Sequence, residues 1–100
     1  MAWVRACSVT DIEPGEAVVV DVDPPLAVFN VDGEFLAAAD TCTHGASSLA
    51  DGYIDGAEVE CAWHFAKFCL RTGKALTLPA TEAIATYAVR VEDDAVFVDV

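Results

Sequence analysis

The sequence predicts an all-β domain, a small sandwich or barrel of about eight to ten strands. Turn signals recur about every eight to twelve residues, at Pro14-Gly15, Pro24-Pro25, Asp32-Gly33, Asp51-Gly52, Asp55-Gly56, Thr72-Gly73 and Glu92-Asp93-Asp94. The stretches between them are β-branched or aromatic and often alternate, as one-sided burial of a strand requires. No window carries a convincing helical period.

Taken in order, Ser8 to Glu13 is expected to make one helical turn behind a Ser or Thr cap. Strands are expected over Ala17 to Val22, Ala27 to Val31, Glu34 to Ala38, Ala57 to Cys61, Phe68 to Arg71, Thr86 to Val91 and Ala95 to Val100. Asp55-Gly56 is a pair that makes tight hairpin turns, so Tyr53-Ile54 should pair with the segment returning to Glu60. In the last hairpin Tyr87, Val89 and Val91 are expected to share one face, and Val96, Val98 and Val100 one face of the returning strand. Two stretches resist this description, Asp40 to Leu49 and Cys61 to Lys67. Both carry polar or metal-ligating residues where a strand would carry packing residues.

Composition narrows the function classes. The chain has 100 residues, 55% of them hydrophobic, and 17 acids against 5 bases give a net charge of −12. One domain is expected, burying roughly 60 to 70% of the unfolded surface, so an additional staple would help it. The acidic excess repels nucleic-acid phosphates and anionic lipid, and it favours protein partners with basic faces. Residues 61–81 carry Lys67, Arg71 and Lys74 and no acid, leaving −15 on the rest. A dipolar molecule oriented by its partners' fields is one reading of that division, and ordinary solvent-facing strands are the other. The longest apolar run, Phe35 to Ala39, is five residues against the ~20 needed to cross a bilayer. Met1 to Ser8 lacks the features of a secretory signal, so a soluble, cytoplasmic protein is expected. In a reducing compartment its four Cys are metal ligands or buried thiols rather than disulfides.

Both His residues of the chain lie within three residues of a Cys. Cys42-Thr43-His44 is followed, after sixteen residues, by Cys61-Ala62-Trp63-His64. In a flat strand Cys42 and His44 would stand about 7 Å apart on one face, so a shared metal site needs the chain to curl, which Gly45 permits. The hairpin between the pairs returns the chain to its start and sets the second loop beside the first. Two thiolates and two imidazoles can hold one zinc ion or an iron–sulfur cluster. Zinc fingers run Cys-Cys then His-His with a helix, whereas this chain runs Cys-His then Cys-His on loops. Two such loops can give both thiolates to one iron and both imidazoles to the other.

These motifs resemble the C-x-H and C-x-x-H pair of Rieske [2Fe–2S] proteins. The likeness extends through Lys67 to Lys74 and over essentially the whole chain. It is most similar to the Rieske ferredoxins of bacterial aromatic-ring-hydroxylating dioxygenase systems, of the biphenyl and phenylpropionate or cinnamate types. The resemblance implies a β-sandwich base carrying a small cluster-binding subdomain formed by two loops, at about residues 41–80 of a single domain spanning 1–100. It implies one [2Fe–2S] cluster per chain, with Cys42 and Cys61 on the inner iron, His44 and His64 on the outer one, and Leu78-Pro79-Ala80 as a shielding loop. It also implies an electron carrier rather than an enzyme, a monomer shuttling between a FAD-containing ferredoxin reductase and a terminal oxygenase.

Departures from the pattern carry information too. Ser47 and Trp63 stand where membrane-complex relatives have a disulfide, and Ala66 and Phe68 where high-potential relatives have a Ser and a Tyr. A low reduction potential is therefore expected. Phe65 replaces a common Gly after the second His. Cys7 and Cys69, in strand-like segments without a partner motif, are expected to be plain core thiols. Leu49 is expected to be a buried cover residue. Two rival readings are left open by the residues, the small Rieske-like subunit of a nitrite reductase and a zinc-stapled β module that binds proteins.

Overall fold

The computed structural model describes residues 3–22, 24–41, 48–61, 66–77 and 83–100. They form ten strands: β1 (Trp3–Ser8), β2 (Ala17–Val20), β3 (Leu26–Val31), β4 (Glu34–Ala39), β5 (Tyr53–Asp55), β6 (Glu58–Glu60), β7 (Lys67–Cys69), β8 (Thr86–Tyr87), β9 (Val89–Glu92) and β10 (Ala95–Asp99), with one 3-10 turn at Leu49–Asp51. All pairings are antiparallel and build three sheets, in the orders β1-β10-β9, β2-β3-β4-β8 and β5-β6-β7. The expected all-β class is observed. Among the described residues no helix is long and apolar enough to cross a membrane.

The four-stranded sheet is the middle layer, because both of its faces are apolar. All six residues of β3 are buried. Leu26 and Val28 pack with Cys7, Ile12, Val20, Ala37, Val96 and Val98 on one side. Ala27, Phe29 and Val31 pack with Ala38, Leu49, Val59, Cys61, Ala66, Phe68, Leu70 and Ile84 on the other. Period-2 alternation is a sign of one-sided burial, so the near-continuous run from Leu26 to Phe29 is what a two-sided strand looks like in sequence. Each fully buried Phe or Leu contributes about 1.5–3 kcal/mol relative to exposure, and the Ala residues at 37 and 38 let the flanking layers approach.

Turn chemistry fixes the registers. β3 and β4 close on Asp32-Gly33, with Val31 opposite Glu34 and φ of 52° and 94° at the two turn residues. β9 and β10 close on Asp93-Asp94, also with both φ positive, at 50° and 62°. Two positive φ values are what the tightest hairpin needs to match strand twist, and Asp tolerates that region better than most residues with a Cβ. The β5–β6 hairpin pairs Tyr53 with Glu60 and Asp55 with Glu58, so its turn is Gly56-Ala57, one residue later than Asp55-Gly56.

Several expectations change. β1 escapes the alternation rule because its register against β10 shifts between Arg5 and Cys7. Val4 and Cys7 therefore oppose Val98 and Val96 on one face, although they are three residues apart. The stretch Thr86 to Val91 is not one strand. β8 pairs with β4 and β9 with β10, so the chain changes layers at Ala88, and Tyr87 belongs to a different sheet from Val89 and Val91. Val96 and Val98 are core, whereas Val91 and Val100 are exposed. Ser8 to Glu13 makes no helix. The Ser8 N–H donates to the Asp11 carboxylate (2.8 Å) and the Asp11 N–H to the Ser8 carbonyl (3.0 Å), which closes a turn instead.

A buried amide ties that turn region to the middle sheet. Asn30, 4% exposed, donates through Nδ2 to the Ile12 carbonyl (2.9 Å) and accepts through Oδ1 from the Gly33 N–H (2.8 Å). Its backbone exchanges bonds with Gly15 and Glu16. Asn30→Ala strands both partners, so urea unfolding is expected to show a loss of about 1–3 kcal/mol; an unchanged unfolding free energy would remove Asn30 from the structural determinants of the fold.

Candidate metal centre

The expected donors Cys42, His44 and His64 lie outside the described residues, as do Gly45, Ser47, Trp63, Phe65 and Leu78-Pro79-Ala80. What the structure does describe is where the three segments bearing them begin and end.

The segment 42–47 starts and finishes at one place. Thr41 and Ser48 form an antiparallel bridge, and the Leu49 N–H donates to the Asp40 carbonyl (2.6 Å). Asp40 is 7% exposed, and its carboxylate accepts from two donors. Oδ1 accepts from the Ser48 hydroxyl (2.7 Å) and the Ala50 N–H (3.1 Å), and Oδ2 lies 2.9 Å from the same hydroxyl. The 3-10 turn follows at once and buries Leu49 completely, as a cover residue should be.

The segment 62–65 is pinned in the same way. The Cys61 N–H donates to the Ala66 carbonyl (2.7 Å), continuing the ladder that sets Glu60 opposite Lys67. The segment 78–82 leaves from beside this point. The Leu76 N–H donates to the Lys67 carbonyl (2.7 Å), and the Lys67 N–H donates to Thr77 Oγ1 (2.9 Å). On its far side the Ile84 N–H donates to the Gly73 carbonyl (2.8 Å).

The first and second flanks meet at Gly52. Its N–H caps the 3-10 turn on the Leu49 carbonyl (3.0 Å), and a Cβ there would run into the carbonyl oxygen of Glu60, the residue before Cys61. Thus Ser48, Leu49, Gly52, Glu60, Cys61, Ala66, Lys67 and Thr77 form a continuous run of contacts joining all three segments. Cys61, the expected donor that is described, is fully buried in the layer that contains Leu49, Val59, Ala66 and Phe68. Among the described residues no three His, Cys, Asp or Glu side chains gather as a metal site would require.

The other two described thiols differ. Cys7 is core as expected, and burial, with Asp11 nearby, pushes its thiol up from the ordinary value. Cys69 is half-buried rather than core. Hydrogen bonds from the Thr72 side chain, then from the Thr72 and Arg71 backbone, lower its thiol pKa. The basic segment is also less free than its charge count suggests. Arg71 forks onto Glu34 through two bonds (2.9 and 2.6 Å), which holds the Glu34 carboxyl below its ordinary value, and Lys67 stands opposite Glu60. Lys74 stays exposed.

Asp40, Ser48 and Gly52 carry no functional signal in sequence. A buried acid in so acidic a chain looks like any surface acid until its donors are placed.

Comparison with known proteins adds the family. The model of the Rieske [2Fe-2S] domain matches residues 2–88. The 3-phenylpropionate/cinnamic acid dioxygenase ferredoxin subunit of Escherichia coli (strain K12) is 51% identical over 99% of this chain and 94% of its own length. The solved Sphingomonas yanoikuyae B1 ferredoxin superposes with a TM-score of 0.92 at 42% identity, covering 98% of each chain. A chain from the complex of reduced oxygenase and oxidized ferredoxin in carbazole 1,9a-dioxygenase gives 0.91 at 37% identity, covering 96% of this chain and 91% of that one.

Gly52→Ala forces the backbone at Glu60 to move, directly before Cys61. The expected result is a loss of about 1–3 kcal/mol of stability by denaturant titration, typical of overpacking, together with less iron bound per chain. Unchanged stability and iron content would show that the close approach is dispensable.

Proposed function

Because the chain belongs to the Rieske [2Fe–2S] family, we propose that it is the one-electron carrier of an aromatic-ring dioxygenase system. In this reading it takes electrons from a FAD-containing, NADH-oxidising ferredoxin reductase and delivers them to the terminal oxygenase, in the cytoplasm and as a monomer. The observation that carries the reading is likeness to a dioxygenase ferredoxin subunit over essentially the full length of both chains. The carrier is not itself an enzyme. Ring hydroxylation belongs to the oxygenase, and the carrier serves to hold, shield and present one redox centre.

The residues fit that centre. Cys61 is fully buried in the layer that flanks both Cys-His segments, and a thiol shielded from water in this way has the soft-donor chemistry that iron takes. When bound, the [2Fe–2S] cluster supplies a site that gains and loses a single electron. Cys42 and Cys61 are the proposed thiolate ligands and His44 and His64 the imidazole ligands, within a cluster-binding part at about 41–80 of one domain spanning 1–100. The pinned flanks support this reading, since they bring the ends of the two segments that bear these residues, and the start of the segment 78–82, to one end of the β5-β6-β7 layer. Weak, brief complexes with small interfaces suit a carrier that must visit two partners in turn.

The layer beneath Cys61 also bears on the potential. Ala66 and Phe68 are both fully buried, and neither side chain carries a hydroxyl to donate toward sulfur. The added negative charge of the reduced state lacks those two donors.

Two measurements test the proposal. Purified protein should show the visible absorption and, after dithionite, the paramagnetic resonance of a Rieske cluster. Cys61→Ala and His64→Ala should abolish both signals, while Cys69→Ala keeps them; a full spectrum in His64→Ala would overturn the ligand set. The midpoint potential should lie near the low end of the Rieske range, about −150 mV. A value above zero would show that other donors replace the missing hydroxyls.

A further inference from the structure

Asp40 is the one acidic side chain that is buried among the described residues. Burying a carboxylate is costly unless donors surround it, and here the Ser48 hydroxyl and the Ala50 N–H do so. A neutral side chain could close the same turn at lower desolvation cost, so the clamp alone does not require an acid. Its position in the chain suggests what the charge is for. Asp40 lies two residues before Cys42, so their Cα atoms are at most about 7.6 Å apart by covalent geometry. A negative charge held this near in the chain to a ligand residue opposes the arrival of another.

We propose that Asp40 is a positioning residue that also acts electrostatically. It closes the first ligand loop through Ser48 and Ala50, and its charge holds the midpoint potential of the centre down. The proposal rests on the reading of Cys42 and His44 as ligands. Ser48 has two effects in this arrangement. It anchors the far end of the loop, and its hydroxyl dipole points at the carboxylate and partly offsets the charge felt at the centre.

Two substitutions therefore act in opposite directions. Asp40→Asn keeps a carbonyl acceptor for Ser48 and Ala50 and removes the charge. The one-electron reduction constant should rise about tenfold, an upward midpoint shift of about 59 mV for one electron. Ser48→Ala keeps the charge and removes the offsetting hydroxyl, so the midpoint should fall, by less. A loop that merely loosened would move both variants the same way.

The experiment is spectroelectrochemical titration of the holoprotein and both variants at one pH and ionic strength, with absorption and paramagnetic resonance recorded beside each midpoint. Opposite shifts support the proposal. Midpoints unchanged from the parent, or displaced in the same direction, overturn it. If Asp40→Asn fails to hold iron, the downward shift in Ser48→Ala decides alone; failure of Ser48→Ala to hold iron makes the clamp purely structural and also overturns it. The ligand reading fails separately, through a Cys42→Ala protein that keeps the parent spectrum.

Discussion

The two-sided burial of the middle sheet is the constraint on which the other features depend. β3 has no exposed residue, so both of its faces must be covered by other sheets, and the chain supplies one from its two ends and one from its middle. This divides the hydrophobic content into two cores that share a wall. The β5-β6-β7 layer has only three residues per strand, which is too little for independent stability, and it stands because Val59, Phe68 and Leu70 rest on Ala27, Phe29 and Val31. The residues that flank the two Cys-His segments are thereby held on a small layer backed by a larger one.

Mounting of this kind serves electron transfer. A carrier gains from a centre whose surroundings change little between its two charge states, and the ends of all three segments are held by main-chain bonds rather than by long side chains. Segments of four to six residues between ends fixed in this way cost little closure entropy. The acidic surface then acts at longer range. With Arg71 committed to Glu34 and Lys67 facing Glu60, the positive end of the molecule is weaker than residues 61–81 suggest by count, and the remainder, though it gives two acids to these pairings, stays strongly negative.

Much of this was legible in sequence. Turn pairs such as Asp32-Gly33 mark hairpins because few residues accept positive φ, and the order of the Cys-His pairs pointed to the family that the comparisons show. What was hidden had physical causes. The bulge in β1 breaks the two-residue period, so the segment around Cys7 looks strand-like without showing the bounds Trp3–Ser8 or which face is buried. The layer change at Ala88 leaves no mark, since both halves of Thr86 to Val91 look like strand. Asp40 and Asn30 have the composition of surface residues, and only the placement of their partners shows them to be internal. Cys69 misleads in the other direction, a thiol in a strand-like setting whose neighbours turn out to be donors.

The strand order has one more consequence, for the order of events during folding. β10, formed from Ala95–Asp99, is the central strand of its sheet, and β1 has its strand partner there and nowhere else among the described residues. Trp3 therefore waits for Asp99, across nearly the whole chain, a closure among the slowest kinds of contact a small domain can make. The hairpins of β3–β4 and β5–β6 join residues close in sequence and need no such wait. The β5-β6-β7 layer and the face it rests on can thus organise while the outer sheet is still open.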